Sequence, residues 1–260
     1  MILASFLVLA AIQSDAAQLP SVSPGRWTID YGRISCTLAR RIGGDDSAIL
    51  ALNAPLGTEP GEFVLMDGGA GLDPRLAGRL EIGFGSGAPV AVQATADRRN
   101  GRAIVKLSPV PDDFLARAAA GGRIAVTRNG EELFAFAPPD ARAGIDALTR
   151  CNEDLLRDWG IDVPARRALS RVARLRATYW ASAIMPRANT YLVYVAQVSA
   201  RGVPTDCRVV VSSRNRGMDL AFCNVMRSTA RYEPALDGAG RPVASQYVTR
   251  IRWVIDPGFD

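Results

Sequence analysis

The apolar spacing of this chain predicts an α+β protein. Its N-terminal domain reads as β-rich, sandwich- or barrel-like and closed by a helix, and its C-terminal unit as a small ββαβ module with a three-stranded antiparallel sheet. Three observations carry this reading. Nine short apolar runs recur between residues 24 and 137, punctuated by Gly, Pro, Asn and Asp. After Pro138-Pro139 the apolar period lengthens to that of a helix, which runs to about Trp159. From about Tyr179 the order is strand, strand, helix, strand. With 260 residues, 48% hydrophobic and 22% charged, the chain can bury two modest cores. The expected divisions are a signal peptide over 1–17, a β-rich domain over 24–160, a helical linker over 161–180 and the C-terminal module over 181–256.

Ile2 to Ile12 is an unbroken run of apolar and small residues, followed by Ser14-Asp15-Ala16. At the helical rise such a run spans about 16 Å, half of a hydrocarbon core, which fits a signal-peptide h-region better than an anchor. No Lys or Arg precedes it, so either the amino terminus supplies the charge or the start lies upstream.

The strand runs of the N-terminal domain are Trp27–Tyr31, Ile34–Leu38, Ile49–Leu52, Phe63–Met66, Leu80–Phe84, Val90–Ala94, Ala103–Leu107, Ile124–Thr127 and Leu133–Phe136. Asn100-Gly101 and Asn129-Gly130 separate alternating runs and tolerate the positive φ of a type I′ hairpin. Pro111 to Ala119 reads as a short helix. Asp140 is placed to cap the long helix and Gly160 to end it, with Ile145, Leu148, Cys151, Leu155 and Trp159 inward. Pro164 to Ala177 reads as a second helix carrying Arg166, Arg167, Arg171, Arg174 and Arg176. A solvated connector is the favoured reading of it, and contact with an anionic membrane surface through residues 164–177 the alternative.

Composition narrows the function classes. The sequence contains no histidine, which removes Ser–His and Cys–His nucleophile pairs, imidazole bases and His-ligated metals. The acidic neighbours Asp45-Asp46, Asp112-Asp113 and Glu131-Glu132 read as solvated loop or hairpin pairs. Gly83-x-Gly85-x-Gly87 lacks a following helix and reads as a turn. No catalytic residue, metal or cofactor is expected, and the chain reads as a binding protein rather than an enzyme. The net charge is +5 and the arginines look scattered, so a nucleic-acid partner is not expected. The cysteines, Cys36, Cys151, Cys207 and Cys223, lack C-x-x-C spacing and suit disulfides in an oxidising compartment. Of the three pairings, domain logic favours Cys36–Cys151 with Cys207–Cys223; reduced, buried thiols are the alternative.

In the C-terminal module, Tyr191–Ser199 alternates, Arg201-Gly202 turns the chain, and Thr205–Ser212 forms the second strand. Asp219 to Arg227 is the helix, with Leu220, Cys223 and Val225 or Met226 inward. Val243–Ile255 is the final strand. Gly202-x-x-x-x-Cys207-x-Val209, Ser212-Ser213, Leu220, Cys223 and Tyr232-Glu233-Pro234-Ala235-Leu236-Asp237-x-x-Gly240-Arg241-Pro242-Val243 resemble the C-terminal domain of TonB energy transducers. The final strand, alternating Val248, Ile251, Trp253 and Ile255, completes the likeness. Cys207 and Cys223 match the branch of that family in which a strand is tied to the following helix.

The resemblance implies a periplasmic location in a Gram-negative envelope. It also implies binding to an outer-membrane receptor or another envelope protein segment by strand addition, in support of TonB-dependent transport. The implied docking edge is the last strand, at Ser245, Gln246, Tyr247, Val248, Thr249, Arg250 and Ile251. Such transducers also carry a transmembrane helix and a long Pro-rich spacer, which this sequence does not display. The alternative is an exported β-domain enzyme or inhibitor with the TonB-like module as its attachment.

Overall fold

The computed structural model describes residues 26–42, 48–54, 56, 61–67, 72, 75–85, 87–99, 101–110, 113–120, 123–137, 140–177 and 189–253. The expected signal peptide over 1–17 lies outside them, as do Asn100, Asp45-Asp46, Asp112, Pro138-Pro139, Trp180 and Ile255.

The N-terminal strands are β1 (Thr28–Tyr31), β2 (Cys36–Ile42), β3 (Ala48–Asn53), β4 (Gly61–Asp67), β5 (Gly78–Phe84), β6 (Val90–Arg99), β7 (Arg102–Val110), β8 (Ile124–Arg128) and β9 (Glu131–Phe136). They make a single curled sheet in the order β1-β2-β3-β4-β7-β6-β5-β8-β9, and every pairing is antiparallel. There is no second facing sheet among the described residues, and β1 and β9 do not pair to close a barrel. Two helices do that work, α1 (Phe114–Ala119) and α2 (Ala141–Asp158). A twisted sheet curls around what it buries, and here Leu38, Leu50, Leu52, Leu65, Leu107 and Val126 close on Phe114, Ile145 and Leu148. Asn129 (φ 51) and Gly130 (φ 81) make the expected tight hairpin between β8 and β9.

Helix α2 buries Ala141, Gly144, Ile145, Leu148, Cys151, Asn152 and Leu156, a stripe at three- and four-residue spacing. Cys151 bonds Cys36 of β2, with the Cα atoms 6.2 Å apart, and Asn152 Oδ1 accepts the Cys36 amide at 3.2 Å. Asp140 stands at the N-cap, but its left-handed backbone (φ 55) leaves the side chain without a capping bond. Capping needs extended backbone there, so the expected cap does not form.

The linker differs most from the expectation. A helix forms only over α3 (Val163–Arg167), capped by Asp162, whose Oδ1 accepts the Ala165 amide at 2.9 Å. Arg174–Ala177 is instead a strand, β10, paired with β13 (Arg231–Glu233). Between them Ser170 N donates to Leu236 O at 2.9 Å and Leu236 N to Arg171 O at 2.9 Å. The expected basic amphipathic helix over 164–177 is therefore absent, and with it the continuous cationic face that would lie on a membrane. Tertiary pairing overrides a weak helical pattern here: Ala173 is buried in the C-terminal core and Leu175 of β10 packs against it.

The C-terminal module contains β11 (Thr190–Val198), β12 (Pro204–Val211), α4 (Arg216–Thr229), β14 (Ala235–Leu236), β15 (Pro242–Val243) and β16 (Ser245–Trp253). Its sheet runs β12-β11-β16, all antiparallel. Leu192, Tyr194, Ala196 and Tyr247 pack beneath Phe222, Cys223 and Met226 of α4, and the Tyr194 and Phe222 rings meet edge-on at 4.9 Å. Leu220, expected inward, is 60% exposed. Cys223 and Met226 are inward as expected, and the helix begins earlier, at Arg216; its buried stripe is Met218, Phe222, Cys223 and Met226, and Leu220 lies off that stripe. Its cap is Asn215, whose Oδ1 accepts Met218 N at 3.1 Å, while Ser212 and Ser213 both hydrogen-bond Asp219. Cys207 of β12 and Cys223 of α4 are bonded across 5.4 Å of Cα separation. Gly202 (φ +75) lies so close to the next segment that a Cβ would sit 2.0 Å from Tyr232 O.

Candidate functional site

Strand alternation gives β16 two packed faces and one flank. Tyr247, Thr249 and Ile251 face α4, whereas Gln246, Val248 and Arg250 face the other way. Its whole length pairs with β11, from Ser245 opposite Val198 to Trp253 opposite Thr190. Alternate amides and carbonyls of an antiparallel strand point away from its one partner. Among the described residues no other strand pairs with β16, so it is the terminal strand of the sheet.

The seven expected docking residues thus share one strand, but their side chains are not alike. Tyr247, Val248 and Thr249 are buried, and Tyr247 stacks edge-on against Tyr232 at 4.9 Å. Ser245, Gln246, Arg250 and Ile251 are half-buried. Any recognition along this stretch would use the backbone of the flank more than the side chains. The tyrosine cluster is structural: burial raises the Tyr194 hydroxyl far above its ordinary range, and burial likewise pushes Tyr232 up to about 12.

The second face of the small sheet is covered by the chain's own N-terminal half. Trp159, Ile161 and Val163, together with Leu156 and Leu56, press on Val193, Val195, Val211 and Val248. The strap over Trp159–Val163 crosses all three strands. At β12 the guanidinium of Arg208 donates to Trp159 O. At β16 the Gln246 amide closes the other end, donating to Gly160 O at 3.0 Å and accepting Asp162 N at 2.8 Å. Val195 opposes both Arg208 and Val248, so the strap lies square across the ladder. This cover falls on the face of the sheet rather than on the flank of β16. The sequence-level reading missed this strap because Trp159, Ile161 and Val163 looked like a helix end and a linker. The spacing of three buried apolar residues around Gly160 was the available signal.

At the start of β16 the strap leaves a cleft of about 360 Å³, with Arg166, Leu169, Gln197 and Ser245 among its walls. The described members of the acidic neighbour pairs lie elsewhere and are engaged: Glu131 with Arg75 at 2.5 Å, Glu132 with Arg123 at 2.5 Å, and Asp113 with Arg117 at 2.9 Å.

Comparison with known proteins bears on the C-terminal module. Residues 176–255 match the family described as the Gram-negative bacterial TonB protein C-terminal domain. The match spans the whole β11–β16 sheet and begins just before it. No curated protein matches the chain. Among solved structures, the crystal structure of invasion associated protein b from Bartonella henselae aligns at 15% identity and a TM-score of 0.35, covering 50% of this chain and 96% of that one. A TonB-type C-terminal domain and two disulfides are the features of an envelope protein.

Proposed function

We propose that this is an exported, periplasmic protein that binds an extended segment of an outer-membrane receptor or another envelope protein, by adding that segment as a strand to the flank of β16. The carrying observation is the terminal position of β16 in a TonB-type sheet whose two faces are both covered. With the faces filled, the remaining row of backbone donors and acceptors is the recognition surface. A nine-residue strand turns about half of its peptide groups outward. Some five hydrogen bonds at about 1 kcal/mol net each give weak, reversible binding, as befits a partner that must be released. The N-terminal domain acts as a fixed shoulder, since α2 is bonded to β2 and its end lies on the sheet. We read the chain as a binding protein, not an enzyme, supporting TonB-dependent transport.

Two neighbouring prolines test this. In an edge strand one of two adjacent residues donates to its partner and the other to solvent, and proline is tolerated only in the outward place. Of Arg250→Pro and Ile251→Pro, one will fold normally, and that variant is expected to lose capture of envelope partners from extract. If the well-folded variant retains every partner of the wild type, docking does not occur on this flank.

A further inference from the structure

Charge is divided unevenly between the halves of the chain. Residues 161–260 carry fifteen arginines against seven carboxylates, whereas residues 24–160 carry sixteen basic against eighteen acidic side chains. The arginines that look scattered along the sequence are thus concentrated, relative to acids, in the half that holds the small sheet. Part of that excess has a single address, the outer side of α4.

Met218, Phe222, Cys223 and Met226 of α4 face the sheet. At about 100° of turn per residue, Arg216, Leu220 and Arg227 fall within roughly 40° of one another on the side opposite Phe222. All three are exposed, Leu220 by 60%. The helix runs back along β12, to which the Cys207–Cys223 bond ties it, so its C-terminal end comes to the β11–β12 turn. There Tyr232 N donates to Gly202 O at 2.9 Å, which brings the segment holding Arg231 against the turn holding Arg201 and Val203. Val203 is itself 43% exposed. Among the described residues Arg201, Arg216, Arg227 and Arg231 form no ion pair. Arg227 donates to the Asn224 amide at 2.7 Å and Arg231 to Ala230 O at 2.8 Å, both neutral oxygens. The nearest acids in sequence are turned to other tasks. Asp219 is held by Ser212 and Ser213, and Asp206, next to Cys207 on β12, alternates to the face away from α4.

We infer that this side of α4 docks on an anionic phospholipid surface, with Leu220 entering the acyl boundary and the arginines holding lipid phosphates. The outside of a helix is convex and offers no cavity to a folded partner, whereas a lipid surface yields to it. An exposed leucine between two arginines on one stripe suits that boundary, because long arginine stems reach phosphates while the shorter apolar side chain enters below them. The N-terminal domain, whose charges nearly balance, presses on the opposite face of the same sheet through the strap. From the membrane outward the layers are therefore α4, sheet, strap and N-terminal domain. The flank of β16 then opens sideways, along the membrane, and docking does not cover it.

Sedimentation of the full secreted chain with vesicles tests the inference, using phosphatidylcholine alone and phosphatidylcholine mixed with phosphatidylglycerol. The chain is expected to bind the mixed vesicles, less so as salt is added, and to leave the neutral ones free. Arg216→Gln and Arg227→Gln should each weaken binding about fivefold, the share of one basic side chain at such a surface. Leu220→Ser should weaken it about tenfold through lost apolar burial. All three side chains are exposed, so thermal unfolding of these variants should match the wild type. Arg142→Gln, on the exposed side of α2, should bind as the wild type does. Equal binding to neutral and mixed vesicles would overturn the inference. So would undiminished binding by Leu220→Ser or by the double variant lacking Arg216 and Arg227. Capture of peptidoglycan fragments or acidic peptides by the α4 stripe, with no capture of vesicles, would overturn it as well. Strand addition at β16 is read out separately and stands or falls on its own test.

Discussion

Replacing Ile161 by Ala removes the centre of the strap that joins the two halves of the molecule. Ile161 is 4% exposed and lies against Val195 and Val248 on one side and the end of α2 on the other. Deleting three buried carbons from such a site costs about 2–4 kcal/mol, the transfer term plus the cavity left behind. The cost should not stay in one half. Arg208 and Gln246 fix the strap to the sheet, and the Cys36–Cys151 bond fixes α2 to β2, so the loosened contact belongs to both cores. Native-state hydrogen exchange reads this directly, through the opening free energies of slow amides in β3 and in β11. The expected outcome is a fall of about 2 kcal/mol or more in both strands. A fall confined to β11, with β3 unchanged, would refute the idea that the strap makes one cooperative body.

Three further outcomes follow from the C-terminal module. Gly202→Ala places a Cβ 2.0 Å from Tyr232 O at a backbone φ of +75, and should destabilise by about 3 kcal/mol or more in denaturant unfolding. Replacing Cys207 and Cys223 by Ser opens a loop spanning 16 residues of sequence separation and should cost about 3 kcal/mol, against nearly 5 for the 115-residue separation of Cys36–Cys151, in chemical melts of the single-bridge variants. Burial raises the Tyr232 pKa to about 12, so the folded state holds that proton more tightly than the unfolded chain does. Its contribution to stability is complete below about pH 10 and is lost as pH rises through 10 to 12. Tyr232→Phe should flatten the alkaline decline in an unfolding series across that range, and an unchanged decline would show that other groups cause it.

Much of the scaffold could be read from residue pattern. Runs such as Phe63–Met66 and Ile124–Thr127 lie within observed strands, and Asn129-Gly130 forms its hairpin. Patterns of this kind survive because they are local. The two disulfides followed from which cysteines each domain would own, and the structure holds both. What failed depended on contacts distant in sequence. Residues 164–177 look weakly helical, yet Leu175 enters the C-terminal core only by pairing β10 with β13. Leu220 is apolar, but the buried stripe runs through Met218, Phe222, Cys223 and Met226, and Leu220 lies off it and faces solvent. One curled sheet filled by helices has the same alternating strands as a sandwich, so its topology could not be separated by period alone. The terminal position of β16 was legible through the resemblance. The strap and the cleft were not, because each is made by residues far apart in the sequence.

Amide-resolved hydrogen exchange along Gln246–Arg252 in the free full-length chain is the most direct measurement of whether the β16 flank is open. An open flank gives an alternating pattern, with every second amide exchanging rapidly and the intervening ones held by β11. Uniform slow exchange across all seven positions would mean that the flank is already paired from within, and that no guest strand can add there.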